Sequence, residues 1–319
     1  MRMLPRCIFR SALLIVAALV AFPAAADEPD KLLPPDTDAV LKVNVRALFD
    51  SPAVKKYALD EIRKGLDQNV HLAVILKIAD LDPFKDLESV TFAVAKPQEP
   101  KALVIVRGRF NRAQLEGVLD AGVKLDPKKY AVSEYREIKV YQGKDGDGWY
   151  GALLDKGTLV TSQHEAMVKK AIDQNLAKGA ASLNKELTTI LAKVDGKQTI
   201  WLAVAGTKAV KDAARNHPDG KSIADQFQGA IVGLTVKDGL GIDLALYTND
   251  PAAVKKMKAD LEAGKEVLQA FASAPDYGPI LTEILDGASV TADERGALRL
   301  RVAISGSAIT KIIKLGQQQ

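Results

Sequence analysis

Apolar residues recur along the chain either at every second position or at every third and fourth, and the two periods alternate in short blocks. Leu41-Lys42-Val43-Asn44-Val45 and Leu298-Arg299-Leu300-Arg301-Val302 put apolar side chains on one side of an extended segment and polar ones on the other. That is the pattern of a strand in a sheet with one solvated face. Leu103–Val106 and Thr199–Val204 are apolar throughout, which predicts central strands contacted on both sides. The helical blocks each carry one stripe: Leu115, Val118 and Leu119; Val168, Ile172 and Leu176; Val254, Met257 and Leu261; Ile309, Ile312 and Ile313.

These blocks return in one order of strand, turn, strand, cap, helix and glycine. Copies run over Val90–Gly122, Trp149–Gly179, Ala230–Gly264 and Ala288–Gly316. Asn111, Ser162, Asn249 or Asp250 before Pro251, and Ser305 or Ser307 mark the helix starts. The closing glycines are expected to take the left-handed conformation that ends a helix. Copies one and three start 140 residues apart, and copies two and four 139 apart. A further strand and helix precede each pair: Ala39–Val45 leading through Asp50-Ser51-Pro52, and Thr199–Ala205 leading through Thr207 to Arg215. The expected fold class is α+β, a tandem duplication of a β-α-ββα-ββα unit. Each unit is expected to hold about five mostly antiparallel strands with helices on one face. The expected segments are a signal peptide over 1–26, an extended mature N-terminus over 27–34, a first repeat over 35–182, a linker over 183–196, a second repeat over 197–316 and a tail over 317–319. The linker comprises a helix, Leu183–Val194, and the turn Asp195-Gly196.

The N-terminus breaks the pattern. Arg2, Arg6 and Arg10, with no acid among them, precede the apolar run Ala12–Phe22, then Pro23 and Ala24-Ala25-Ala26. A basic start, a short apolar stretch and small residues at alternate positions make a secretory signal peptide. Cleavage is expected after Ala26, with Ala24 and Ala26 as the recognised small residues and Asp27 as the new N-terminus. The run is short for a membrane span. The expected location is the periplasm or cell envelope, or further outside, with no integral membrane segment after cleavage.

Removal of the leader changes the charge reading, because its three arginines take the formal net charge from +4 to +1. A near-neutral mature chain has no field to attract nucleic acid or an anionic membrane. Cys7 is the single cysteine and lies in the leader. A cysteine-free mature chain leaves no disulfide, thiolate metal site or cysteine nucleophile.

Residues with chemical potential are scattered. His71, His164 and His217 lack the spacing that brings two imidazoles to one metal. Lys144-Asp145-Gly146-Asp147-Gly148 resembles the start of a calcium loop, but Trp149 stands where a third oxygen ligand is needed. It reads as a hairpin connection whose glycines supply positive φ. Ser182-Leu183-Asn184-Lys185 matches a Ser-x-x-Lys motif without its companion motifs. The glycine strings 143–148 and 239–241 join strand to strand, whereas a phosphate loop must open a helix. Trp149, Tyr150 and Trp201 fall in strands, where aromatics are favoured. Lys55-Lys56, Lys169-Lys170 and Lys255-Lys256-Lys258 lie opposite the apolar stripes as solvated helix faces. No catalytic, cofactor-binding or metal-ligating residue is assigned.

Leu33-Pro34-Pro35-Asp36-Thr37-Asp38-Ala39-Val40-Leu41, with Leu48-Phe49-Asp50-Ser51-Pro52 and Asp82-Pro83-Phe84-Lys85-Asp86-Leu87, resembles uncharacterised exported proteins of planctomycete-type bacteria, mainly over the first half. The resemblance implies no activity and no site residue. The leading expectation is a non-catalytic exported protein that acts by binding a protein or a hydrophobic ligand through sheet faces, the groove between halves or edge strands. The alternatives are a carrier holding a lipid on a curved sheet and a hydrolase with an unrecognised site.

Overall fold

In the computed structural model, which describes residues 29–69, 76–95, 101–146, 148–177, 183–216, 223–273, 278–293 and 296–317, the strands join into one twelve-stranded antiparallel sheet. Residues 1–28, with Cys7, Ala24, Ala26 and Asp27, lie outside the described residues, as do His71, Asp147, Gly179, Ser182 and His217.

The first part of the chain gives β1 (Ala39–Asn44), α1 (Val45–Asp50), α2 (Pro52–Tyr57), α3 (Leu59–Gln68), α4 (Pro83–Asp86), β2 (Leu87–Ala95), β3 (Lys101–Gly108) and α5 (Arg112–Leu125). Next come β4 (Tyr130–Tyr135), β5 (Ile138–Gly143), β6 (Trp149–Leu153), β7 (Thr158–Ser162), α6 (Glu165–Leu176) and α7 (Lys185–Leu191). The rest comprises β8 (Ile200–Ala205), α8 (Lys208–Arg215), β9 (Phe227–Val236), β10 (Leu240–Thr248), α9 (Pro251–Ala270), α10 (Gly278–Asp286), β11 (Ser289–Ala292), β12 (Ala297–Ile304) and α11 (Gly306–Gln317). The strand order is β11-β12-β10-β9-β8-β1-β2-β3-β7-β6-β5-β4. The two halves of the chain meet where β1 runs antiparallel to β8 with Leu41 opposite Leu202. Outward from this junction the order is β1-β2-β3-β7-β6 on one side and β8-β9-β10-β12-β11 on the other. The β4–β5 hairpin extends the first side, which therefore holds seven strands rather than five.

Cross-strand register separates the two faces. On the first face, Val40, Ala93 and Leu103 stand opposite one another across β1–β3, and Ala203 and Ile231 continue the row across β8 and β9. All are buried, in one core with Val168 and Ile172 of α6, Leu187 and Ile190 of α7, and Leu32 and Leu33 of the N-terminal segment. Gly229 makes the seat for α7, since a Cβ there would fall 2.4 Å from Ile190 Cδ1. On the second face, Asp120 of α5 takes hydrogen bonds from Lys139 and Tyr141, which alternate with the first-face residue Val140. Helices thus reach both faces of the sheet. The strands Leu103–Val106 and Thr199–Val204, apolar throughout, are not equally enclosed, because buried residues alternate with half-buried ones in each.

Caps follow local chemistry. Asn111, Ser51, Thr207 and Asp250 accept backbone N–H bonds at helix starts, Pro251 follows Asp250, and Ser305 caps α11. Two expectations are corrected. The N-cap of α6 is His164, and Ser162 Oγ instead accepts the His164 N–H at 3.1 Å. Gly122, Gly264 and Gly316 lie inside helices that run past them, so they are not terminal glycines. The linker helix is shorter than expected, Lys185–Leu191. The stripe ends Leu176, Leu261 and Ile312 are exposed.

Two stability measurements follow. In denaturant unfolding, Ile105→Ala on the buried face should cost ~2–5 kcal/mol, whereas Leu244→Ala on the half-covered face should cost ~1 kcal/mol or less. A Cβ at Gly264 meets nothing within 4 Å, so Gly264→Ala should raise stability by ~0.5–1 kcal/mol.

Candidate functional site

The second face carries one uninterrupted register row. From edge to edge it reads Val132, Tyr141, Gly151, Thr161, Val104, Phe92, Leu41, Leu202, Val232, Leu244, Leu300 and Val290. No charged residue interrupts it. The neighbouring residues on this face of the central strands, such as Val43, Val94, Val204 and Leu234, are apolar as well. Coverage changes along the row. Under α5, Tyr141 is 2% exposed and Gly151 is buried, while the six residues from Val104 to Leu244 are half-buried or exposed. At the far end α9 and α10 pack on β11 and β12, where Leu298 is buried beside the half-buried row residues Leu300 and Val290. A half-covered apolar strip therefore lies between two helix-covered ends. Its six strands span five spacings of ~4.8 Å, or ~24 Å.

The strip runs toward a pocket beneath α5. This pocket, about 360 Å³, is lined by Val118, Leu119 and Val123 of α5 and by Tyr130, Tyr141 and Trp149 of the sheet. Trp149 lies flat on the strands because two glycines leave space beneath it. A Cβ at Gly143 would fall 2.0 Å from the indole Nε1, and one at Gly151 would lie 3.3 Å from Cζ3. The polar atoms around the pocket have partners: Tyr141 donates to Asp120 at 3.0 Å, Lys139 donates to the other Asp120 oxygen at 2.7 Å, and Gln142 donates to Tyr150 at 3.1 Å. The Lys139 hydrogen bond holds the Asp120 carboxyl below its usual range against a smaller opposing effect of burial. Burial, then the bond to Asp120, pushes the Tyr141 phenol well above its usual value.

The first face offers a different space. A cleft of about 500 Å³ opens between the N-terminal segment, the end of α7 and the central strands, with Lys42, Arg107, Val194 and Trp201 in its wall. Arg107 is engaged there, donating to both Asp30 oxygens at 2.8–3.1 Å and to Thr158 at 3.2 Å. Further out on this face Asp243 pairs with Arg299 and Arg301 at 3.0 and 3.2 Å.

The residues singled out in the sequence scatter over this frame. Trp149 lines the second-face pocket and Trp201 the first-face cleft, so the tryptophans report on opposite faces. His164 is exposed. The 143–148 string joins β5 to β6, with positive φ at Gly146 and Gly148 and Asp145 paired to Lys129 at 3.6 Å. Lys55, Lys56, Lys170, Lys255 and Lys256 are exposed, and Lys169 and Lys258 pair one turn along with Glu165 and Glu262. Among the described residues no group of three or more His, Cys, Asp or Glu is placed to hold a metal ion, and no helix is long and apolar enough to cross a membrane. Tyr130, Tyr141 and Asp120 are not singled out by any motif, although the period-two run Ile138-Lys139-Val140-Tyr141 carries the signal for the strand of Tyr141.

The Asp120 contacts give a pH-dependent prediction. Because the folded carboxyl titrates below its unfolded value, its contribution is fully present at neutral pH and is lost as pH falls below about 4. Asp120→Asn should lower stability at pH 7 by ~1 kcal/mol and shrink its own deficit toward acid pH, measured as urea midpoints at the two ends.

No curated protein and no solved structure matches the chain. A family model described as a protein of unknown function (DUF3352) matches residues 57–273, more than half of the sequence, and the chain belongs to that family.

Proposed function

We propose that this protein is an exported, non-catalytic binding protein of the periplasm or cell envelope, and that it binds a long apolar ligand laid across the second face of its sheet. The observation that carries this reading is the row from Val104 to Leu244, apolar and half-covered, between ends roofed by helices. Burying such a strip is favourable by roughly 25 cal/mol per Å² of apolar surface. Its ~24 Å length exceeds the ~15 Å that one leaflet contributes to a bilayer's hydrocarbon core, so a single extended aliphatic chain can lie along it. The first face lacks this character, with Lys42, Arg107, Asp243, Arg299 and Arg301 along its rows. The Arg2–Ala26 leader supports export. The matching strand order on either side of the β1–β8 junction supports a tandem duplication, by which one sheet doubles its width.

The test uses residues 27–319 and a fluorescent fatty-acid analogue in aqueous buffer. The chain should enhance the dye's emission saturably, and stearate should displace it. Leu202→Glu places a charge in the middle of the row and should weaken binding about tenfold or more. No saturable uptake by the folded wild-type chain would contradict the reading.

A further inference from the structure

Resting on that reading, we propose that the pocket beneath α5 is the site that grips the methyl end of an aliphatic chain, so that the ligand lies on the sheet in one direction, tail toward β4 and polar head toward the open centre.

Three features carry the assignment. The pocket is a built cavity: about 360 Å³ falls within the size of sites that enclose part of a small ligand, and its walls are aliphatic on the helix side and aromatic on the sheet side. Its shape depends on two glycines, since any side chain at Gly143 would drive the Trp149 indole off the strands and into the space. It also lacks what a headgroup needs. The hydroxyl of Tyr141 is committed to Asp120, the Lys139 ammonium is neutralised by the same carboxylate, and the Gln142 amide donates to Tyr150. A carboxylate or phosphate brought here would be desolvated beside the negative Asp120, with Glu116, itself paired to Arg112, one helical turn away. A hydrocarbon end meets none of these costs.

The register row supplies the path. Between Tyr141 and the half-covered strip stand only Gly151 and Thr161, the two smallest side chains in the row. The Trp149 ring lies over Gly151, so a chain on Val104 and Phe92 meets the edge of the indole that forms the pocket's own wall. Gly122 of α5 borders the same space, and a Cβ there meets nothing within 4 Å. A larger side chain at this position therefore starts from open space on the pocket's border.

The two tryptophans make the orientation measurable. Stearate brominated at its methyl end and an isomer brominated beside its carboxylate are titrated into the chain, with binding followed separately by displacement of the dye. In Trp201→Phe only Trp149 emits. The methyl-end bromine should quench it strongly and the carboxyl-end bromine weakly, although both bind. In Trp149→Phe, Trp201 on the opposite face should be quenched by neither. Gly122→Leu, checked for native circular dichroism, should bind stearate about tenfold more weakly, the effect of excluding about two methylenes. If both isomers bind while neither quenches Trp149, or if Gly122→Leu folds and binds as the wild type does, the pocket assignment is overturned and the sheet-face reading stands. If the carboxyl-end bromine is the stronger quencher, the direction is reversed and the proposal fails. If no isomer binds, both readings fall.

Discussion

Everything in this structure depends on the antiparallel pairing of β1 with β8, which turns two halves of a chain into one sheet. Each half alone would present a bare central edge with unpaired backbone groups, an invitation to non-native pairing. Joining them with Leu41 opposite Leu202 removes both edges at once and aligns the side-chain rows of the halves. A shift of one residue would turn every side chain of one half to the other face. It would set the row of Val232 and Leu244 beside Val40 and Ala93, and the second face would lose its continuity. The uninterrupted apolar row is a consequence of register, not of composition.

The two faces then solve different problems. On the first, α6, α7 and the N-terminal segment close an apolar core, and the strands beyond it carry the ion-paired Asp243, Arg299 and Arg301. On the second, helices roof the two ends while the middle is left half-covered. A chain that minimised exposed apolar area would place charges at Leu202 or Leu244, as it does at Arg299 and Arg301. Keeping that strip apolar has a solubility cost that a monomeric protein rarely carries without use. The binding role proposed above gives it one.

The strands and most caps were legible in the sequence because their signals are local. Alternation in Leu41–Val45 and Leu298–Val302, and caps such as Asn111 and Asp250, are set by neighbours within a few positions. The β4–β5 hairpin carries no local turn signal, because its turn is Arg136-Glu137, with φ of 52° and 64°, where Asn-Gly or Asp-Gly is the usual marker. Gly122 and Gly264 read as helix ends from local preference alone, yet α5 continues to Leu125 and α9 to Ala270. Strands apolar throughout, such as Thr199–Val204, were expected to be enclosed on both sides, since composition does not reveal that one face is half-open. The pocket could not be read at all. It needs Trp149, Gly143 and Gly151 to meet across two strands and α5 to lie above them, and that is a matter of register and packing.

The central claim is that the half-covered strip is occupied when the protein is at work. Native mass spectrometry of the protein, purified without detergent or organic solvent, tests it most directly. The account predicts a population heavier than the bare chain by the mass of one aliphatic ligand, released on collisional activation and absent from Leu202→Glu. A folded wild-type chain that carries only its own mass, and takes up no aliphatic ligand when one is added, would contradict it.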